Sequence, residues 1–195
     1  MEIILVSSGA VASGRSEIKA AKKLDAVSAR QLYSAVGQAK LINRYYELFR
    51  EQGISCGQVL TTKEGFGSRT HYLNQKHCME VMLENGVIPI VNENDTVSTD
   101  EVTALDHFGD NDTLSAVVSQ LVHADLLVIL TDRDGFYNGN PKDNNNCILI
   151  DTVTELTDEI RQYAGGEGSK FGTGGMITKL NAADIVTNSG IHMVL

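Results

Sequence analysis

Paired cysteines are missing: the three present, Cys56, Cys78 and Cys147, are widely spaced and form no CxxC. A disulfide scaffold and a cysteine-based metal knuckle are therefore excluded, and these residues read as reduced thiols in packing or surface roles. The five histidines show neither HxxxH nor HExxH spacing, so no structural zinc site is expected. Basic residues are also scarce, 16 Lys and Arg against 25 Asp and Glu, giving a formal charge of -9. That balance, with no basic patch, argues against a nucleic-acid or anionic-membrane surface as partner. Long apolar runs are lacking as well. Ile3 to Val6 and Leu126 to Leu130 fall far short of the roughly 20 residues that span a bilayer. No segment has the order of a signal peptide, so a cytoplasmic location is expected and the acceptor-like Asn94-Asp95-Thr96 and Asn111-Asp112-Thr113 carry no weight. Walker A, GxGxxG and GxSxG spacings are all absent. Nor is there an internal repeat or a dividing linker.

What remains is an ordinary globular composition, 42% hydrophobic and 21% charged, sufficient for one substantial core. Glu2 to Val6 reads as a buried strand running into a Ser-Ser-Gly turn. A helix is expected from Ser28, as N-cap, to Gln52, with Leu32, Val36, Leu41, Ile42, Tyr45 and Leu48 on one face. Ile54 to Thr61 is strand-like, Arg69 to Glu84 helical, and Asn85-Gly86 a stop. Val87 to Val91 is the next strand, with Pro89 its one uncomfortable residue. After a long polar segment to Gly109, Asp110 to His123 reads as helix and Asp125 to Thr131 as the clearest buried strand. Asn138 to Asn146 reads as loop, Glu155 to Tyr163 as a short helix, Gly165 to Gly174 as a glycine-rich connector, Gly175 to Asn188 as helix, and Ile191 to Leu195 as a strand. This alternation predicts an α/β fold, a three-layer α/β/α sandwich with a mainly parallel central sheet.

Short polar segments stand where these strands end: Ser7-Ser8-Gly9-Ala10, Asn92-Glu93-Asn94-Asp95, Gly109 to Asp112, Thr131-Asp132, and Gly172 to Lys179. In open α/β sheets ligands bind at the carboxyl ends of the strands, which places the chemistry along that edge. Glycines at a helix start let N–H groups approach an oxyanion, and the helix dipole adds partial positive charge. Lys179, one turn in, can reach the same anion. Taken singly, each segment has a plain alternative: a flexible connector for Gly172 to Lys179, N-capping for Asp110 to Asp112, polar turns for the others. Their recurrence at successive strand ends favours a shared site.

In this order, Val6-Ser7-Ser8-Gly9-Ala10-Val11, Asn92-Glu93-Asn94-Asp95-Thr96-Val97, Phe108-Gly109-Asp110-Asn111-Asp112, Leu130-Thr131-Asp132 and Gly172 to Lys179 resemble the motif set of the amino-acid kinase superfamily, over nearly the whole chain. The resemblance is nearest to the branch that phosphorylates the γ-carboxylate of L-glutamate, the first step of proline biosynthesis. It implies the amino-acid kinase fold, with ATP and Mg2+ as cofactors and the metal carried mainly by the ATP phosphates. It implies that Ser8, Asp95 and Asn111 bind glutamate, with Asn92 nearby, and that Thr131 and Asp132 contact the nucleotide. Thr173, Gly174, Gly175, Met176, Ile177, Thr178 and Lys179 would hold the ATP phosphates, Lys179 offsetting charge on the transferring group and Asp112 orienting catalytic lysines. The segment Val97 to His107 would cover the glutamate site, proline would act as feedback inhibitor near it, and the protein would be a homo-oligomer. Residues 1–195 would form a single amino-acid kinase domain lacking the family's first strand, with its lysine, and its carboxyl-terminal end.

The implied reaction suits the residues. A carboxylate with a pKa of about 4.3 is ionised at neutral pH and attacks phosphorus without a general base, which leaves positioning and charge stabilisation as the catalytic task. Another carboxylate kinase of the superfamily, or an inactive glutamate and nucleotide sensor, are the competing readings. A pure interaction protein would have no use for Gly172 to Lys179.

Overall fold

The computed structural model describes residues 1–97, 110–141, 146–165 and 175–195. The chain divides into two compact units, Met1–Asn111 and Asp112–Leu195. It is a mixed α/β structure whose principal strands run parallel.

In the first unit, β1 (Leu5–Val6), β2 (Ser55–Thr61) and β3 (Val87–Glu93) form a parallel sheet in the order β1-β3-β2. Crossover segments carry α1 (Ala10–Glu17), α2 (Ala26–Arg50), α3 (Lys63–Gly67) and α4 (Arg69–Glu84). The central strand is apolar from Val87 to Val91, and Ile90 and Val91, with Met79 from α4, are almost fully buried. Each such side chain contributes about 1.5–3 kcal/mol on leaving water.

β1 is much shorter than Glu2 to Val6, and Pro89 supplies a reason. The Ser7 N–H donates to the Val91 carbonyl at 2.9 Å, so Val91 turns its polar groups toward β1. Two residues earlier Pro89 faces the same side with no N–H to offer. Pairing therefore begins only at Leu5 opposite Ile90.

α1 is absent from the sequence-based expectation. Its residues, Ala-Val-Ala-Ser-Gly-Arg-Ser-Glu, include Gly14, two serines and a valine in a span of only eight, and the helix has no side-chain cap. It is held instead by α2, through a close crossing of glycines. A Cβ on Gly37 would lie 1.8 Å from the Ala10 carbonyl oxygen, and one on Gly14 would lie 1.8 Å from that of Tyr33. Lys40 and Glu17 bridge the same pair of helices at 2.6 Å. α2 starts at Ala26 rather than Ser28 because Asp25 is its cap, accepting from the Ser28 N–H at 2.9 Å and the Ser28 hydroxyl at 2.6 Å. Its buried positions are Ser34 and Gly37, whereas Leu32 and Leu48 of the expected apolar face are exposed.

The second unit contains α5 (Asn111–Val122, all but its first residue), β4 (Leu126–Val128), β5 (Phe136–Tyr137), β6 (Leu149–Ile150), α6 (Asp158–Tyr163), α7 (Met176–Thr187) and β7 (His192–Val194). β4 and β7 pair in parallel; β5 and β6 form an antiparallel pair. Its core joins Ala116 from α5, Leu127 and Ile129, Ala182 and Val186 from α7, and Ile191. The run Asp125 to Thr131 is thus not buried on both faces. Leu127 and Ile129 are 7% exposed, whereas Val128 is 52% and Leu130 91% exposed. An unbroken apolar run carries no alternation from which to read that one-sided burial. The β5–β6 pair flanks the expected loop, Asn138 to Asn146, and is closed by Asn138, whose N–H donates to the Ile148 carbonyl at 3.0 Å while its Oδ1 accepts from the Ile148 N–H at 2.7 Å.

Candidate active site

β1 delivers Ser7 and Ser8 to its carboxyl end, and Gly9 then turns the chain into α1 with φ of 108°, a value that favours glycine. Ser7 is the structural member of the pair: it is buried, and its hydroxyl lies 2.8 Å from that of Tyr45 on α2. Ser8 is exposed. β3 delivers Asn92 and Glu93 to the same end of the sheet, followed by Asp95. The Asn92 amide donates to Gln38 Oε1 at 2.9 Å, which fixes its orientation.

These segments enclose a cavity of about 360 Å³. Ser8, Asn92, Asp95 and Asn111 all line it, so the four residues named for substrate binding come together within the first unit. The backbone at the start of α1, from Gly9 to Ala12, lines it as well. So do Arg15, Arg30 and Glu93. Neither arginine stands in a recognisable pattern, and sequence reasoning gives no sign of them. Arg15 lies over the Tyr33 ring, 5.6 Å from its centroid. Arg30 donates from Nε and Nη2 to Asp95 Oδ1 at 3.0 and 2.8 Å, and its Nη2 stands 3.8 Å from Glu93 Oε2. A cavity carrying two guanidinium groups and two carboxylates matches a small ligand that itself bears both signs of charge.

The second unit contributes a different cluster. Asp112, in the first turn of α5, accepts at Oδ2 from the Thr178 hydroxyl at 2.7 Å and from Lys179 Nζ at 2.9 Å. Both Lys179 and Asp112 are largely buried, with side chains 15% and 18% exposed. The Thr178 hydroxyl also stands 2.7 Å from the Gly175 carbonyl, so its single proton is shared between two acceptors. Gly175 is the N-cap of α7, and among the described residues no side chain caps the amides of Met176 and Ile177 at its first turn. An uncapped start beside a buried lysine can receive an anionic oxygen. Sequence reasoning named Asp112 and Lys179 separately; Thr178 as a second donor to the same oxygen follows only from the fold. Thr131 and Asp132 lie beyond β4, with Asp132 exposed. Thr173 and Gly174, and the segment expected to cover the site from residue 98 to 107, lie outside the described residues.

Comparison with known proteins bears on both clusters. Residues 1–195 match the amino acid kinase family along their whole length. The chain belongs to the amino acid kinase family. Among the relatives of this amino acid kinase, the protein named glutamate 5-kinase in Bacteroides thetaiotaomicron is 57% identical over 195 residues, which make up the whole chain and 52% of that relative. The glutamate 5-kinase of Clostridium acetobutylicum is 46% identical over 195 residues, covering 72% of it, and that of Carboxydothermus hydrogenoformans is 46% identical over 194 residues, covering 51% of it. The chain thus spans from about half to under three quarters of the length of these curated relatives. No helix among the described residues of this amino acid kinase is long and apolar enough to cross a membrane.

Proposed function

We propose that this amino acid kinase catalyses ATP-dependent phosphorylation of the L-glutamate γ-carboxylate, giving L-glutamyl 5-phosphate, as the names of its relatives state for them. The observation that carries this reading is the cavity on which Ser8, Asn92, Asp95 and Asn111 converge with Arg15 and Arg30. Its volume, about 360 Å³, suits an amino acid, and its mixed charge suits a zwitterion with a further carboxylate. The ammonium would meet Asp95, and a carboxylate would meet Arg15 or the amides at the start of α1.

ATP fits the second cluster. The uncapped α7 start and Lys179, held by Asp112, are the groups that would receive its phosphates. Mg2+ would be bound mainly by those phosphates, where it supplies charge neutralisation; no group of three or more His, Cys, Asp or Glu side chains among the described residues is placed to hold a metal. In the transfer, a γ-carboxylate oxygen forms a bond to the γ-phosphorus as the bond to the ADP oxygen breaks, and no proton changes hands. Lys179 balances the charge gathering on the phosphoryl oxygens, and Asp112 keeps its ammonium in place. Thr131 and Asp132 are assigned to the nucleotide on the same reading. So are a three-layer sandwich comprising both units as one kinase domain, a cytoplasmic homo-oligomer, and feedback inhibition by proline.

The test is glutamate-dependent ADP release with the acyl phosphate trapped by hydroxylamine, run on the chain and on a version extended at its amino terminus. Hydroxamate that requires L-glutamate supports the assignment. Turnover only with another carboxylate moves it to a sister kinase, and binding of glutamate and nucleotide without ADP formation identifies a sensor.

A further inference from the structure

Asp95 is 8% exposed and lines the cavity, and a carboxylate so buried needs compensation. Compensation comes from α2, 65 residues away in sequence: Arg30 places both Nε and Nη2 on Oδ1. The fork engages one oxygen only and leaves Oδ2 outside it. The same guanidinium lies 3.8 Å from Glu93 Oε2, so Arg30 stands between two carboxylates at the end of β3.

We propose that Arg30 is a positioning residue for Asp95: it pins Oδ1 so that Oδ2 is presented to the ammonium of the amino-acid substrate, and it acts on that substrate through Asp95. The proposal rests on the glutamate-kinase reading above. An ammonium on Oδ2 gains a charge-assisted hydrogen bond there, which a deaminated dicarboxylate or an N-acylated substrate cannot make. Arg30 thereby also enforces selection for a free amino group. Lysine in its place would keep the charge but offer a single-point donor in place of a two-pronged planar one.

The experiment is a double-mutant cycle on the hydroxamate assay, with Arg30→Met, Arg30→Lys, Asp95→Asn and Arg30→Met combined with Asp95→Asn. Arg30→Met is expected to raise the KM for L-glutamate roughly tenfold or more, with the KM for ATP within about twofold of wild type. Arg30→Lys is expected to recover part of that loss. In the Asp95→Asn background, Arg30→Met is expected to add less than about twofold, since its route to the substrate is already cut. Independent multiplication of the two effects would mean that Arg30 acts on the substrate directly, and an unchanged glutamate KM would mean that it does not act at all; either result overturns the proposal. Equal loss for glutamate and ATP would also overturn it, by pointing to a general structural role. If Arg30→Met does not fold, the same comparison is read from Arg30→Lys, alone and with Asp95→Asn. A wild-type protein that turns over ATP without need of glutamate would sink the underlying assignment and not this inference alone, so the two failures are distinct.

Discussion

At the scale of single residues, the second cluster turns on one oxygen. Asp112 Oδ2 receives both Thr178 and Lys179, so the lysine is steered by a carboxylate that is itself held by a neighbouring hydroxyl. If Lys179 stabilises the transferring phosphoryl group, Lys179→Met lowers kcat by about 10²–10³-fold. Asp112→Asn gives a smaller loss, because the ammonium remains but its tether is weakened. Steady-state kinetics at saturating glutamate checks both, and unchanged glutamate KM in each is part of the expectation. A reading of the sequence could nominate Asp112 and Lys179, because acidic residues at one helix start and a lysine at another are visible as patterns. It could not nominate Arg15 or Arg30. Nothing within a few residues of either marks it, and the partners of Arg30 are reached only when α2 is laid across the end of β3.

At the scale of elements, legibility followed how local the determinants are. α4 is found where its periodicity and the Asn85-Gly86 stop place it, since both signals lie within the segment. α2 is capped three residues before the expected Ser28, by Asp25, whose capping role is equally local. The Ser28 hydroxyl and N–H both lower the Asp25 carboxyl below its ordinary range. A folded-state value below the unfolded one of about 3.9 means the cap stabilises at pH above that value and loses its effect as pH falls through the lower one. Asp25→Ala is therefore expected to unfold at lower urea than wild type at pH 7, with the two midpoints converging as the pH falls below the ordinary carboxylate range. α1 is the opposite case, since its stability comes from the packing of Gly14 and Gly37 and not from its own composition. Gly37→Ala would drive a methyl group into the Ala10 carbonyl and is expected to cost about 1–3 kcal/mol or more. Because Ala10 lines the cavity, glutamate KM should rise with it. Denaturant unfolding and kinetics on one preparation test both.

Across the whole molecule, the parallel strands and the general order of elements were legible, while the true extent of β1 and β4 and the β5–β6 pairing depended on partners distant in sequence. On the proposed function, chelation by EDTA is expected to abolish turnover while leaving the thermal unfolding midpoint of the nucleotide-free protein unchanged, because the metal would be carried by the ATP phosphates. A lowered midpoint would show instead that a cation is part of the fold. Pro89 has a reach of the same breadth. If β1 slid two residues along β3, so that Ser7 came opposite Ile90, every side chain would keep its face and the slip would go unpunished by burial. Ser8 would then retreat by about 6.6 Å from its level beside Glu93. That alignment asks Pro89 to donate to Leu5, and it has nothing to give. The imino acid works as a backstop on strand register, so that an atom missing from the middle of the sheet helps keep two cavity residues level at its end.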